Sequence, residues 1–459
     1  MSKVIHNVQT IERLSPIRRI IASSGGISSC IDMMMIQTFL LYYYTDVLKI
    51  NAAFSGGLLL VARIAAAFAV PVFGIFIDRK TTPWGKYKPY YLMIGIPAAI
   101  FGFLTFTSFN LDQQGKYIYA SITYFIYNLL ISLGGIPKGA MGPSMTKSME
   151  DRISMGFLGY IFSVIGSLLV VSAGPVLIKV FGNGREVKGF SLTMALFCFI
   201  NILIAIIQWM FLEEKYIIQE SKQGKYQFQK LLSVVFHNKT SIIVLLITFS
   251  INLANGIRMA VTIHYLKYYF QRPELMAQFG LISMLSLFGG AFLSSKITKY
   301  LGIKKVLIIS FLINILSFGL IYPLGANKSG VFLYLILSMI NNFFNGLSTP
   351  AQSTLMPNVI DYCEWKTGMS AGAFMSALSS FVSTSATAFA GIFVGLVLSM
   401  TGYQPDIEQS HEALVGIRVM MSIAPAVACM LSLIVIGLKD TEKEHERIVQ
   451  ELMTKRNYI

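Results

Sequence analysis

Asn252, Asn255 and Arg258 recur at every third residue within an apolar stretch of the chain. Side chains three apart share one face of a helix, so two amides and a guanidinium form a polar row. Polar groups inside a membrane are costly and face protein or a water-filled cavity. The row is therefore predicted to line a path for a polar solute, where it would hydrogen-bond hydroxyl or acid groups. The alternative is that it joins its helix to a neighbouring helix.

Other polar side chains interrupt the apolar stretches. Asp32 is the one carboxylate placed deep within such a stretch, and it either neutralises Arg63 or Arg258 or carries a proton in a coupling cycle. Arginines outnumber aspartate there, which favours an acidic solute. The remaining predicted substrate-binding residues are Asn128, Tyr160, Asn341 and Thr384.

Composition identifies the medium in which these residues act. Of the 459 residues, 54% are hydrophobic and only 13% are charged, whereas soluble domains carry about 25% charged residues. The mean hydropathy is +0.63. A net charge of +15 would suggest nucleic acid in a soluble protein. Here the apolar content excludes nucleic acid as a partner and predicts a multi-pass protein in a lipid bilayer.

The residues that usually hold metals or perform catalysis are scattered. The four cysteines include no CxxC pair and the five histidines do not cluster, so neither a metal site nor a disulfide framework is predicted. There is no HExxH motif, and no Ser/His/Asp constellation stands out. The sequence therefore predicts neither a cofactor nor an enzyme.

Apolar stretches long enough to cross a bilayer, about 20 residues each, number twelve. The sequence thus predicts an all-α membrane protein of twelve transmembrane helices, arranged as two six-helix halves. A basic polar loop divides them, which gives a first half at 1–212, a central loop at 213–240, a second half at 241–437 and a tail at 438–459. The predicted helices lie near 22–45, 53–77, 90–109, 115–137, 155–180, 189–212, 241–269, 275–295, 304–324, 330–351, 370–400 and 412–437.

The distribution of basic residues predicts the orientation. Most of the 37 Lys and Arg residues fall in the two terminal segments and in the alternate loops on the same side. Basic loops stay in the cytoplasm, so both termini are predicted to be cytoplasmic. The N-terminal segment is basic and lacks a signal-peptide core, so the first apolar stretch is expected to be a real span.

Four stretches carry a resemblance to a known family. They are YYYTDVLKI (42–50), ARIAAAFAVPVFGIFIDRKTTPWGKYKP (62–89), IPKGAMGPSMTKSMEDR (136–152) and MPNVIDYCEWKTG (356–368). In this order they resemble the glycoside–pentoside–hexuronide:cation symporters, the melibiose permease family of the major facilitator superfamily, over nearly the whole chain. The resemblance implies a secondary transporter of a sugar, glycoside or hexuronide that works by alternating access and is usually driven by Na⁺, H⁺ or Li⁺, with H⁺ or Na⁺ expected here. It also implies a monomer in a bacterial cytoplasmic membrane.

The chain departs from the family at its charged positions. Ala66 and Val70 replace the two helix 2 aspartates that hold the family's cation, and neither side chain offers the oxygens that a hard cation needs. Coupling through another group, an uncoupled sugar facilitator, and a carrier of lipid or another small solute on the same fold therefore remain open. At five further positions the chain lacks the charged or aromatic residue that the family carries there. The residues found instead are Cys30, Gly135, Gly139, Tyr160 and Thr384.

Two charged segments that match the family pattern are predicted to close the cytoplasmic side. The first contains Asp78 and Arg79 after the second helix, and the second lies between helices 10 and 11. Their side chains can form charge pairs with helix ends, although a topological signal with helix capping is the alternative. The second segment contains Asp361, Glu364 and Lys366.

Overall fold

The fold is given by a computed structural model. It describes residues 13–79, 82–146, 148–215, 235–236, 238–353, 355, 359, 362, 365 and 372–437. Within these residues the chain is helical and contains no β-strand.

The first half contains six helices. Helix α1 is interrupted and includes two π-helical segments, and α5 contains one π-helical segment. The bounds are α1, Pro16–Ser23, Gly25–Met34, Met35–Leu40 and Tyr43–Val47; α2, Ala52–Arg79; α3, Tyr90–Thr105; α4, Gln113–Met145; α5, Met149–Leu168, Leu169–Ala173 and Gly174–Gly182; and α6, Glu186–Phe211.

The second half repeats this arrangement. Helix α7 ends in a π-helical segment, and α12 ends in a 3₁₀ segment. The bounds are α7, Lys239–His264 and Tyr265–Tyr269; α8, Leu275–Leu301; α9, Ile303–Ile321; α10, Lys328–Ser353; α11, Gly372–Met400; and α12, His411–Met421, Ile423–Met430 and Leu431–Gly437.

The prediction of twelve helices in an all-α membrane protein is confirmed over the described residues. Among the described residues, ten helices are long and apolar enough to cross a membrane. The interrupted α1 and the shorter apolar α3, which has 16 residues, complete the twelve.

Several helix ends differ from the prediction. Helix α4 continues to Met145 and α8 to Leu301, beyond the predicted ends near 137 and 295. Only Gly302, with a φ of 79°, separates α8 from α9. Hydropathy detects the part of a helix that lies in hydrocarbon, whereas these helices continue into the polar region. There, the positive charge of Lys299 in the last turn of α8 interacts favourably with the negative end of the helix dipole.

Glycines bring the two halves into direct backbone contact. Gly56 of α2 lies against α11, where an added Cβ would be 2.7 Å from the carbonyl oxygen of Gly391. Gly280 of α8 lies against α5, where a Cβ would be 2.8 Å from the Val171 carbonyl oxygen. Small residues permit such close approach between membrane helices. Both contacts lie toward the end of the molecule where α1 and α7 finish, which we call the closed side.

Gly290 provides a test of packing within the second half. The position of its missing Cβ is occupied by the carbonyl of Phe343 in α10. Gly290→Val is expected to destabilise the protein by about 1–3 kcal/mol, because the helices must separate to admit the side chain. Thermal unfolding in detergent would measure this loss against Gly57→Ala, where nothing lies within 4 Å of the added Cβ. Equal stability of the two variants would contradict the α8–α10 contact.

Candidate solute site

A central cavity of about 270 Å³ is lined by both halves. Five of the nine predicted substrate-binding residues line it: Asp32 of α1, Arg63 of α2, Asn128 of α4, Asn252 of α7 and Thr384 of α11. The cavity is therefore built from five helices, and its polar groups come from residues far apart in sequence. Sites that bind polar solutes are typically concave and contain amides, hydroxyls and charged groups that converge on the ligand.

Asp32 lies between the central cavity and a smaller one. Its Oδ1 accepts hydrogen bonds from the Tyr127 hydroxyl at 2.9 Å and from the Asn201 side-chain amide at 2.8 Å. The smaller cavity, of about 40 Å³, is also lined by Asp32, Asn201 and Lys138, and it has room for about one water molecule. The residue is only 9% exposed. Asp32 is thus held by the first half and reached from the cavity.

The charges of the central cavity do not balance. Its charged lining residues are Asp32, Arg63 and Lys138, and the other lining side chains are neutral. Lys138 donates a hydrogen bond to the Ser29 hydroxyl at 3.2 Å. Arg63 forms no ion pair with any part of the chain that the structure describes. A cationic group without a carboxylate partner in a membrane cavity favours an anionic ligand.

A third cavity leads away from the closed side. It has a volume of about 520 Å³ and shares Ser29 and Lys138 with the central cavity. It follows α1, α4 and α5 as far as Arg152, near the start of α5. The third cavity therefore extends from the level of Lys138 toward the side on which α1 begins.

The predicted polar row of α7 divides between two environments. Asn252 lines the central cavity, whereas Arg258 is 2% exposed and buried within the second half. Arg258 donates to the Oδ1 atoms of Asn341 at 3.1 Å and Asn342 at 2.8 Å. Asn255 accepts a hydrogen bond from Asn345 at 3.1 Å. These bonds join α7 to α10, which corresponds to the alternative interpretation of the row.

The structure also locates the remaining predicted residues. Tyr160 of α5 is 41% exposed and is not part of the cavity lining. Asp78 and Arg79 form the last turn of α2, but their side chains lie outside the described residues, as do Asp361, Glu364 and Lys366. The gating role of these charges stays a prediction. Asp32 forms no ion pair with Arg63 or Arg258, so the expected neutralisation is not found among the described residues.

A cluster that the sequence analysis missed joins the halves at the closed side. We call it the Asp46 cluster: Asp46 of α1, His264, Lys267 and Tyr268 of α7, and Tyr403 between α11 and α12. Asp46 is fully buried, and its Oδ2 accepts from the Tyr403 hydroxyl at 2.6 Å. Its Oδ1 accepts from the Tyr268 hydroxyl, and Lys267 lies 3.4 Å away. The His264 Nε2 lies 3.5 Å from Oδ2.

A more exposed layer of charges covers this cluster. Lys267 donates to Asp406 at 2.8 Å and to the Tyr42 hydroxyl at 2.8 Å, and Lys49 also pairs with Asp406. Burial favours the neutral form of Asp406, but hydrogen bonds and charge from Lys267 and Lys49 outweigh it and hold its pKa below the ordinary value. Its contribution to closure is present above the ordinary carboxyl pKa and is lost as the pH falls through the lowered pKa.

Asp46 itself stands in the YYYTDVLKI stretch, but its partners follow more than 200 residues later. A charge near a predicted helix end is typical of an interfacial residue, so nothing in the local pattern signals this pairing. The unequal distribution of contacts between the halves, closed at one end and hollow at the centre, is typical of alternating access.

Twelve helices in two halves around a polar cavity are the architecture of secondary transporters of the major facilitator type. Residues 21–438 match the family described as MFS/sugar transport protein. The chain belongs to this family.

Named relatives agree with this assignment. The chain is 33% identical to a protein of Bacillus subtilis (strain 168) described as the uncharacterized symporter YjmB, over 99% of this chain and 98% of that protein. It is 27% identical to the isoprimeverose transporter of Lactiplantibacillus pentosus, over 92% and 88% of the two chains. The crystal structure of the nucleoside transporter NupG has a similar fold, with a TM-score of 0.64 and 15% identity over 92% and 99% of the two chains.

Proposed function

We propose that the transported solute is an acidic sugar or glycoside that binds in the central cavity. The observation that carries this proposal is the position of Arg63, which lines the cavity without an ion pair among the described residues. Arg63 and Lys138 would bind a carboxylate or sulfonate. Neutral side chains such as Asn128, Asn252 and Thr384 would bind hydroxyl groups.

Transport is proposed to be coupled to H⁺ through Asp32. This carboxyl is buried and reached from two cavities, which suits a group that takes up and releases a proton. Relatives described as symporters support coupling. With Ala66 and Val70 at the family's cation positions, Na⁺ is the second candidate ion, and an uncoupled facilitator is the alternative.

The orientation follows from the basic residues. We propose that the termini are cytoplasmic in a bacterial cytoplasmic membrane, so that the closed side faces outward and the described conformation faces inward. Cavities that are contained within one chain support function as a monomer.

Uptake of labelled solutes into proteoliposomes tests these proposals. A panel of hexuronides and matched neutral glycosides would be assayed with and without imposed H⁺ and Na⁺ gradients. Hexuronides are expected to enter, and an inward H⁺ gradient is expected to raise their internal concentration above the external one. Uptake restricted to neutral glycosides would exclude the acidic solute, and accumulation driven by Na⁺ alone would exclude proton coupling.

Arg63→Gln isolates the contribution of charge. Charge-assisted hydrogen bonds contribute about 1.5–3 kcal/mol, so the variant is expected to raise the half-saturating hexuronide concentration roughly 10- to 100-fold. Arg185→Gln, at the exposed N-cap of α6, is a matched control for loss of one guanidinium. A similar affinity for the hexuronide in the two variants would show that Arg63 does not contribute to solute binding.

A further inference from the structure

An apolar groove opens beside the central cavity. It has a volume of about 460 Å³ and lies between α2 and α11, with Phe249 of α7 at one wall. Ala67 of α2 and Ala388 of α11 contribute small side chains to its lining. Phe68 and Phe389 also line it and are 71% and 51% exposed, so this side of the groove faces the bilayer.

The course of the two helices accounts for the groove. Gly56 lets α2 touch α11 at Gly391 and Gly395 on the closed side. Farther along, side chains such as Leu60 and Phe381 line a space of ligand size. The groove therefore lies farther from the closed side than the glycine contact between these two helices.

The groove and the central cavity adjoin each other. Arg63 and Thr384 line both spaces, so the two spaces meet at these two side chains. The cavity offers charges, amides and hydroxyls, whereas the groove offers almost only aliphatic and aromatic surface. Complementary chemistry requires a ligand with a polar, anionic end at Arg63 and an apolar end toward Phe68.

We propose that the transported solute is a glycoside with an apolar aglycone, in which the acidic sugar lies in the central cavity and the aglycone lies in the α2–α11 groove. The inference rests on the proposed function and adds the aglycone as a second part of the substrate. Burial of each methylene contributes about 0.8 kcal/mol, which corresponds to roughly fourfold in affinity. The aglycone therefore decides which glycosides bind best.

A homologous series of n-alkyl glucuronides, from methyl to hexyl, tests this inference. Each member would compete with uptake of labelled methyl glucuronide into proteoliposomes. The inhibitory concentration is expected to fall roughly fourfold per methylene until the groove is filled. Hexyl sulfate, which has the charge and tail without the sugar, should compete weakly and thereby reports non-specific effects on the bilayer.

Ala67→Trp fills the groove and should flatten the dependence on chain length, so that hexyl and methyl glucuronide differ by less than about threefold. Val72→Trp adds the same ring on a lipid-facing part of α2, where Val72 is 69% exposed and outside the groove lining. That control should retain the dependence.

The possible failures are distinguishable. If the affinity of the wild type does not depend on chain length, the assignment of the groove to the aglycone is overturned, and the groove would then hold bilayer lipid. Uptake of methyl glucuronide in the same experiment would still uphold the proposed function. Absence of uptake for every glucuronide would overturn the proposed function itself. Equal dependence on chain length in Ala67→Trp and Val72→Trp would show that the tail binds elsewhere.

Discussion

Asp32→Asn abolishes accumulation of the solute above its external concentration, while equilibration across the membrane continues; this is the expected result if Asp32 carries the coupled proton. The amide keeps the size of the carboxyl and can still accept hydrogen bonds from Tyr127 and Asn201, but it cannot exchange a proton. The measurement is the steady-state ratio of internal to external solute under an imposed H⁺ gradient. The ratio should fall to about one, with exchange of labelled for unlabelled solute retained.

Asp112→Asn is the matched control. Asp112 caps α4 by accepting a hydrogen bond from the Gly115 amide at 2.9 Å, and asparagine caps helices equally well. This variant should accumulate solute like the wild type. If Asp32→Asn also accumulates solute normally, the proton binds at another group. Lack of accumulation in the wild type itself would instead identify a facilitator.

Asp46→Asn is expected to open the closed side. The substitution removes the charge opposite Lys267 and weakens the bonds from Tyr268 and Tyr403 that tie the second half to α1. Hydrogen bonds that involve a charged group contribute about 1.5–3 kcal/mol, so the population open on this side should rise roughly 10- to 100-fold. A cysteine at Gln37, in the central cavity, reports the change through its rate of labelling by a membrane-impermeant maleimide added to intact cells.

Glu274→Gln serves as the reference, because Glu274 is an exposed acid at the start of α8. Labelling in that variant should match the parent that carries the Gln37 cysteine alone. An unchanged labelling rate in Asp46→Asn would mean that the Asp46 cluster does not hold the halves together. Faster labelling from the opposite side would instead reverse the proposed orientation.

The number and order of the helices could be predicted because a bilayer imposes a minimum apolar length on every span. Their ends could not, since Lys296 and Lys299 resemble loop residues in the sequence but belong to α8. The π-helical segments of α1 and α7 leave no mark in hydropathy at all.

The site was predictable in part. Asp32, Arg63 and Asn252 can be identified because polar groups are rare in apolar stretches, and all three line the cavity. Periodicity assigns residues to a helix face, but it does not say how far along that face the cavity extends. For that reason Arg258, on the same face as Asn252, is predicted at the cavity and lies instead among Asn341 and Asn342. The Asp46 cluster depends on long-range contacts that one sequence does not reveal.

The glycine contact between α2 and α11 can act as the pivot for a rocking movement of α2. Gly56 stands near one end of the 28-residue α2, and the helix continues for roughly 35 Å beyond it at about 1.5 Å per residue. A rotation of about 10° around this contact would displace the far end of α2 by roughly 6 Å. At the contact itself, the same rotation shifts the glycine backbones only slightly. A small rocking movement at the closed side therefore suffices to widen or narrow the opposite mouth by about the width of a sugar ring.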